Sequence, residues 1–64
     1  MDGQERNAIA PGMRVAVVKK EDQRSGRLNE GVVDSLLTKS KFHPHGIKVR
    51  LEDGTVGRVK KILD

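Results

Sequence analysis

Ile47, Val49 and Leu51 alternate with Lys48 and Arg50 and run into Asp53-Gly54, after which Thr55-Val56-Gly57-Arg58-Val59 sets out again. A period of two is the signature of a strand with one face in a core and the other in water. Asp-Gly is a strong hairpin signal, because the favoured two-residue turn needs positive φ at both central positions. The stretch therefore predicts a β-hairpin with an aliphatic inner face and a basic outer one. On a two-residue turn Leu51 faces Val56, Arg50 faces Gly57 and Lys48 faces Val59. The last pair puts a valine on the charged face, so this register requires a bulge or bend at Gly57 that returns Val59 to the interior.

The rest of the chain must complete a core around that hairpin within 64 residues. That length allows one domain, and folding at this size buries only about 60% of the surface exposed by the unfolded chain. There are no cysteines, so neither a disulfide nor a thiolate metal site supplies stability, which fits a reducing compartment. Residues 13–19, with Val15 and Val17 alternating with Arg14 and Ala16, predict a first strand. A polar loop centred on Ser25-Gly26 spans 20–29. Residues 30–37 predict a second strand, with Gly31 at a bend, Val33 facing inward together with Leu37, and a bulge that brings Leu36 inward as well. A helix over 33–40 is the weaker reading, since Asp34 and Ser35 are poor interior residues of one. A second loop covers 38–46, with Phe42 expected as a plug beneath it. Residues 60–63 are expected as a short closing strand or helical turn, with Ile62 stopping one end.

Four to five short strands without a helix imply an all-β fold, a small SH3-like antiparallel barrel. Two packed sheets would need more chain, and closing a barrel removes exposed strand edges. Residues 1–10 are polar and are closed off by Pro11-Gly12, so they read as a disordered lead-in to a barrel domain at 11–64. They contain no apolar stretch of the kind found in a secretory signal. The longest apolar run, residues 15–18, is far below the ~20 residues of a membrane span. A cytoplasmic protein without membrane contact is expected.

The formal charge is +4 and lies unevenly. Residues 1–37 hold six basic and six acidic side chains, whereas residues 38–64 hold seven basic against three acidic. A one-sided positive excess is the footprint of a nucleic-acid binder, and the competing reading is a solvated face that confers solubility. Covalent and acid–base catalysis find no support. Ser25, Ser35 and Ser40 sit in no nucleophile turn, Glu21-Asp22 and Glu52-Asp53 are turn acids, and no glycine-rich loop opens a helix. His43-Pro44-His45 offers two imidazoles, but a metal site needs three or four ligands. The alternative is a rigid loop in which Pro44 fixes φ, in either peptide isomer, and Gly46 permits a sharp exit. No enzyme activity, metal or cofactor is expected.

Over residues 11–63 the chain resembles the YwbE family, small bacterial proteins of uncharacterised function. The resemblance is carried by Pro11-Gly12, by Lys-Glu-Asp-Gln-Arg-Ser-Gly at 20–26, by Gly31-Val32-Val33 and by the long block at 43–59. It implies no settled activity. Gly12, Val15, Val17, Gly26, Gly31 and Val33 are also similar to the glycine–valine pattern of the KOW motif, with a longer loop before Gly26. That similarity implies a KOW-like barrel of the type that contacts RNA or protein in ribosomal proteins and transcription-elongation factors.

The expected function is thus a monomeric, non-enzymatic module bound to RNA or the ribosome through phosphate contacts. Lys48, Arg50, Arg58 and Lys60 would carry most of them, with Lys39, Lys41, His43 and His45 extending the patch. Phe42 is the only aromatic residue, so no platform for stacking bases exists and the reading would be of backbone and shape. The alternative is an adaptor that docks an acidic or extended segment of a partner protein against a strand edge.

Overall fold

The computed structural model describes residues 4–63; Met1–Gly3 of the expected lead-in and Asp64 of the expected barrel domain lie outside the described residues. Four antiparallel strands, β1 (Arg14–Val18), β2 (Asn29–Leu36), β3 (Lys48–Leu51) and β4 (Val56–Ile62), follow one another around a closed barrel, β4 returning to pair with β1. The only helical pieces among the described residues are 3-10 turns at Arg6–Ala8 and Lys20–Asp22. The fold is therefore all-β, a small SH3-like barrel. Val15, Val17, Val33, Ile47, Val49 and Val59 are fully buried, with Leu51 and Ile9 nearly so. Branched aliphatic side chains suit this interior, since their restricted χ1 costs little on a pleated surface.

Two irregularities let a strict period-two chain fill a round core. In β2, Val33 pairs with Leu51 but Ser35 pairs with Arg50 and Leu36 with Val49, so one extra residue is inserted between Val33 and Ser35. Val33 and Leu36, three apart, both point inward, as the sequence predicts. Leu37 does not share their face and is exposed. In β4, Val59 pairs with Val17 but Lys61 pairs with Ala16, which makes Lys60 the extra residue. Val59 and Ile62 then both pack on the core, while Lys60 and Lys61 both face water.

The β3–β4 hairpin corrects the predicted register. Lys48 faces Arg58, Val49 faces Gly57 and Arg50 faces Val56. The Leu51 carbonyl accepts from the Gly54 amide (2.9 Å), and the Leu51 amide donates to Thr55 (2.7 Å), closing a three-residue loop with Gly54 at φ 94°. Asp53 keeps negative φ, so the mirror-image two-residue turn is absent. Instead a turn is followed by a left-handed glycine that forms a bulge. The one-residue shift moves every later side chain to the opposite face. Val59 comes inward with no bend at Gly57. Gly57, expected to leave space beside Arg50, lies inside opposite Val49, where an added Cβ would sit 2.7 Å from the Val18 carbonyl oxygen.

The amino-terminal segment is the second correction. Residues 4–9, expected as disordered, run alongside residues 41–43. Arg6 donates its amide to Lys41 O (2.8 Å), His43 donates its own to Gln4 O (2.9 Å), and Glu5 and Phe42 form an isolated antiparallel bridge. Gln4 Nε2 donates to Pro44 O and Arg6 Nε to Thr38 O, so two side chains strap the loop at 38–47. Ile9 is then only 4% exposed and joins the core. The polar run hides this because one apolar residue and backbone pairing do the work, and neither produces a periodic signal. Phe42, expected as a core plug, is 56% exposed because the bridge holds it on the surface.

Candidate nucleic-acid interface

The basic residues do not gather as the linear sequence suggests. Lys48 on β3 and Arg58 on β4 are cross-strand partners on the outer face, with the bulge residue Lys60 beyond Arg58. Opposite them the polar loop after β1 leans back toward the sheet. Between loop and sheet lie two adjoining clefts of about 570 and 660 Å³ that share Val18, Gln23 and Arg58. Gly26, Leu28, His45 and Lys60 complete the first. Lys19, Lys20, Glu21, Lys48 and Val56 are among the residues of the second.

Arg58 stands where the clefts meet. It is half-buried, and its Nη1 donates to the Gly46 carbonyl (3.0 Å). Lys60 Nζ donates to the preceding carbonyl, that of His45 (3.0 Å). The sharp exit at Gly46 makes this anchoring geometry possible. Its φ is 101°, and a Cβ there would collide with the Val59 carbonyl oxygen. Each cation has spare donors once its carbonyl is served, because guanidinium has five N–H groups and ammonium three. Among the described residues, none of Lys48, Arg58 and Lys60 has a carboxylate within ion-pair distance; the ion pairs there are Arg14–Glu30, Lys19–Glu21 and Arg50–Asp34.

The other predicted site residues are placed differently. Arg50 lies on the outer face but is held by Asp34 at 3.1 Å and lines neither cleft. Lys39 and Lys41 are exposed in the strapped loop and also line neither. His43 is half-buried, and its Nδ1 accepts the His45 amide (3.2 Å) across a trans Pro44 peptide. Its pKa lies below the ordinary 6.5, first through partial burial and then through the positive fields of Arg58 and His45. The two imidazoles stand 5.8 Å apart between ring centres, and among the described residues no cluster of three or more His, Cys, Asp or Glu could hold a metal.

Sequence reasoning missed Lys19, Lys20, Gln23 and Leu28. The adjacent pair Lys19-Lys20 leaving a valine-rich strand was a visible signal. Counting charge by halves of the chain cancelled it against Glu21 and Asp22, which occupy the same turn.

The chain is similar over residues 2–62 to a family described as "Uncharacterized conserved protein (DUF2196)". It is also 59% identical over 63 residues to a Bacillus subtilis (strain 168) protein called "Uncharacterized protein YwbE", a match covering 98% of this chain and 97% of that one. No solved structure matches. No helix among the described residues is long and apolar enough to cross a membrane.

Proposed function

The chain belongs to the YwbE family, whose activity has no description, and on the chemistry of its clefts we propose that it is a non-enzymatic RNA-binding module that grips the phosphate backbone. The observation that carries this reading is Arg58. A half-buried guanidinium, fixed by a backbone carbonyl and flanked by Lys48 and Lys60, has no carboxylate partner among the described residues. A structural arginine that deep in a surface normally meets an acid, because an uncompensated charge loses hydration without gaining a partner. A phosphate supplies what is missing, with two oxygens matched to the guanidinium fork. The glycine–valine similarity to KOW barrels points the same way, and a cytoplasmic RNA partner suits a chain without cysteine.

Fluorescence anisotropy with a labelled stem-loop RNA tests the reading. Binding is expected in the micromolar range at low salt. With three phosphates neutralised, log K should fall by about 2 to 3 per log unit of salt. Arg58→Gln should weaken binding about 10- to 100-fold, the loss of one charge-assisted hydrogen bond. The doubly exposed reversal Lys48→Glu with Lys60→Glu should remove binding altogether, while Arg50→Gln changes it little. A flat salt response, or equal losses at Arg50 and Arg58, overturns the proposal. Partners recovered from cell extract that persist after nuclease digestion would favour the protein adaptor instead.

A further inference from the structure

The two clefts have an alternation of chemistry that phosphate contact alone does not use. Val18 forms part of the floor common to both. Leu28 stands in the wall of one cleft, 40% exposed, and Val56 in the wall of the other, 38% exposed. These are two of the few large apolar side chains that this molecule leaves in water, and they sit on either side of Arg58. Along β4 the outward residues run from Lys60 through Arg58, with Lys48 across the ladder from it, to Val56; Leu28 and His45 line the cleft that holds Lys60, and Lys20 the cleft that holds Val56. Cationic and aliphatic surfaces thus interleave over the length of both clefts.

Duplex RNA presents a convex, rigid surface whose bases are stacked inside, and proteins read it across its shallow groove by shape and backbone. A cylinder of that kind offers phosphates to the cations but no base face to Leu28 and Val56. A single strand is thin, flexible and has exposed base faces. Guanidinium planes accept stacked bases as aromatic rings do, which supplies part of the platform that the single phenylalanine cannot.

Resting on the RNA-binding reading above, we propose that the groove selects single-stranded over duplex RNA. The strand runs through the joined clefts with its phosphates at Lys48, Arg58 and Lys60. Its bases lie against Leu28, Val56 and the guanidinium plane of Arg58. Recognition is tolerant of sequence, since aliphatic walls and a guanidinium plane distinguish base faces weakly.

Anisotropy with a labelled oligouridylate, and with a blunt RNA duplex of the same length, decides the matter. The single strand is expected to bind at least tenfold more tightly, equivalent to about 1.4 kcal/mol. Leu28→Ser, at an exposed loop position that leaves the core intact, should weaken the single strand about threefold or more and leave the duplex unchanged. Duplex binding equal to or tighter than single-strand binding overturns the strand preference while leaving the RNA reading standing. Failure of both RNAs to bind overturns the RNA reading itself. Competition by oligoglutamate as effective as that by unlabelled oligouridylate also overturns the proposal, because it shows that charge alone fills the groove.

Discussion

His43 couples the electrostatics of the candidate interface to the stability of the fold. Its Nδ1 accepts the His45 amide, and this acceptor is lost when the ring is protonated. Partial burial and the nearby Arg58 and His45 charges disfavour the imidazolium in the folded chain. Below pH 6.5 the unfolded chain therefore binds more protons at this residue than the folded one. The contribution of neutral His43 is fully present above that pH and is lost as pH falls through its lowered folded value. Asp53 acts with the same sign further down the scale. Its carboxylate accepts the Thr55 amide at 2.9 Å, and that bond holds its pKa below the ordinary 3.8. The denaturation midpoint is expected to drop between pH 7 and pH 5, and His43→Gln should flatten that part of the curve. A midpoint that rises on acidification over the same range would contradict this. A histidine titration by NMR would show His43 changing charge below 6.5. In the sequence His43-Pro44-His45 reads as a rigid loop or as an extension of the phosphate patch. The bond from the His45 amide is local, but the burial of His43 and the field of Arg58, distant in the chain, depend on the fold and were not legible there.

Among the elements, the clearest sequence signal gave the right structure and the wrong register. The alternation of Ile47, Val49 and Leu51 marked β3 correctly, and Asp53-Gly54 marked the turn. The dipeptide fits both a two-residue loop and a three-residue loop with a left-handed glycine, and Val59 held the information that separates them. An apolar residue on a charged face argued for the three-residue loop more directly than for a second bulge at Gly57. The β2 bulge was readable, because Val33 and Leu36 are three apart with Asp34 and Ser35 between them. The strap made by residues 4–9 was not, since backbone pairing leaves no trace in composition. The loop after β1 forms one wall of the groove, and its internal bonds are local: Gly26 to Asp22, Ser25 Oγ to Asp22 O, Arg27 to Ser25 Oγ. Segments so weakly tied open at low free-energy cost. Trypsin should cut first at Lys20, Arg24 or Arg27 and spare the buried strands. Saturating oligouridylate should slow those cuts selectively, as read by mass spectrometry. First cleavage at Arg14 or Arg58 would contradict this ranking of stability.

The molecule as a whole has little margin. A chain of this length has a stability of roughly 3–10 kcal/mol on a per-residue scale. Its interior is a handful of aliphatic residues, most of them valine, with no disulfide to limit the unfolded ensemble. Ile47 is fully buried at the entrance to β3, and Ile47→Ala should cost about 2–5 kcal/mol. In urea the midpoint should move by a large fraction of its value with unchanged slope. A shift as small as that of an exposed substitution such as Arg24→Ala would mean that the core is not where the structure puts it. The barrel class and its valine core could be read from the sequence, and so could the cationic character of β3 and β4. The groove could not, because it is made by folding a polar loop of mixed charge across the sheet. Closure of the ring has one more implication. Each ladder is shared by two neighbours, so the extra residue in β2 and the one in β4 are parts of a single odd–even arithmetic that must balance around the circumference. A one-residue insertion in a strand of such a chain must be taken up as a further bulge, as in β2 and β4, or it turns every side chain beyond it to the wrong face.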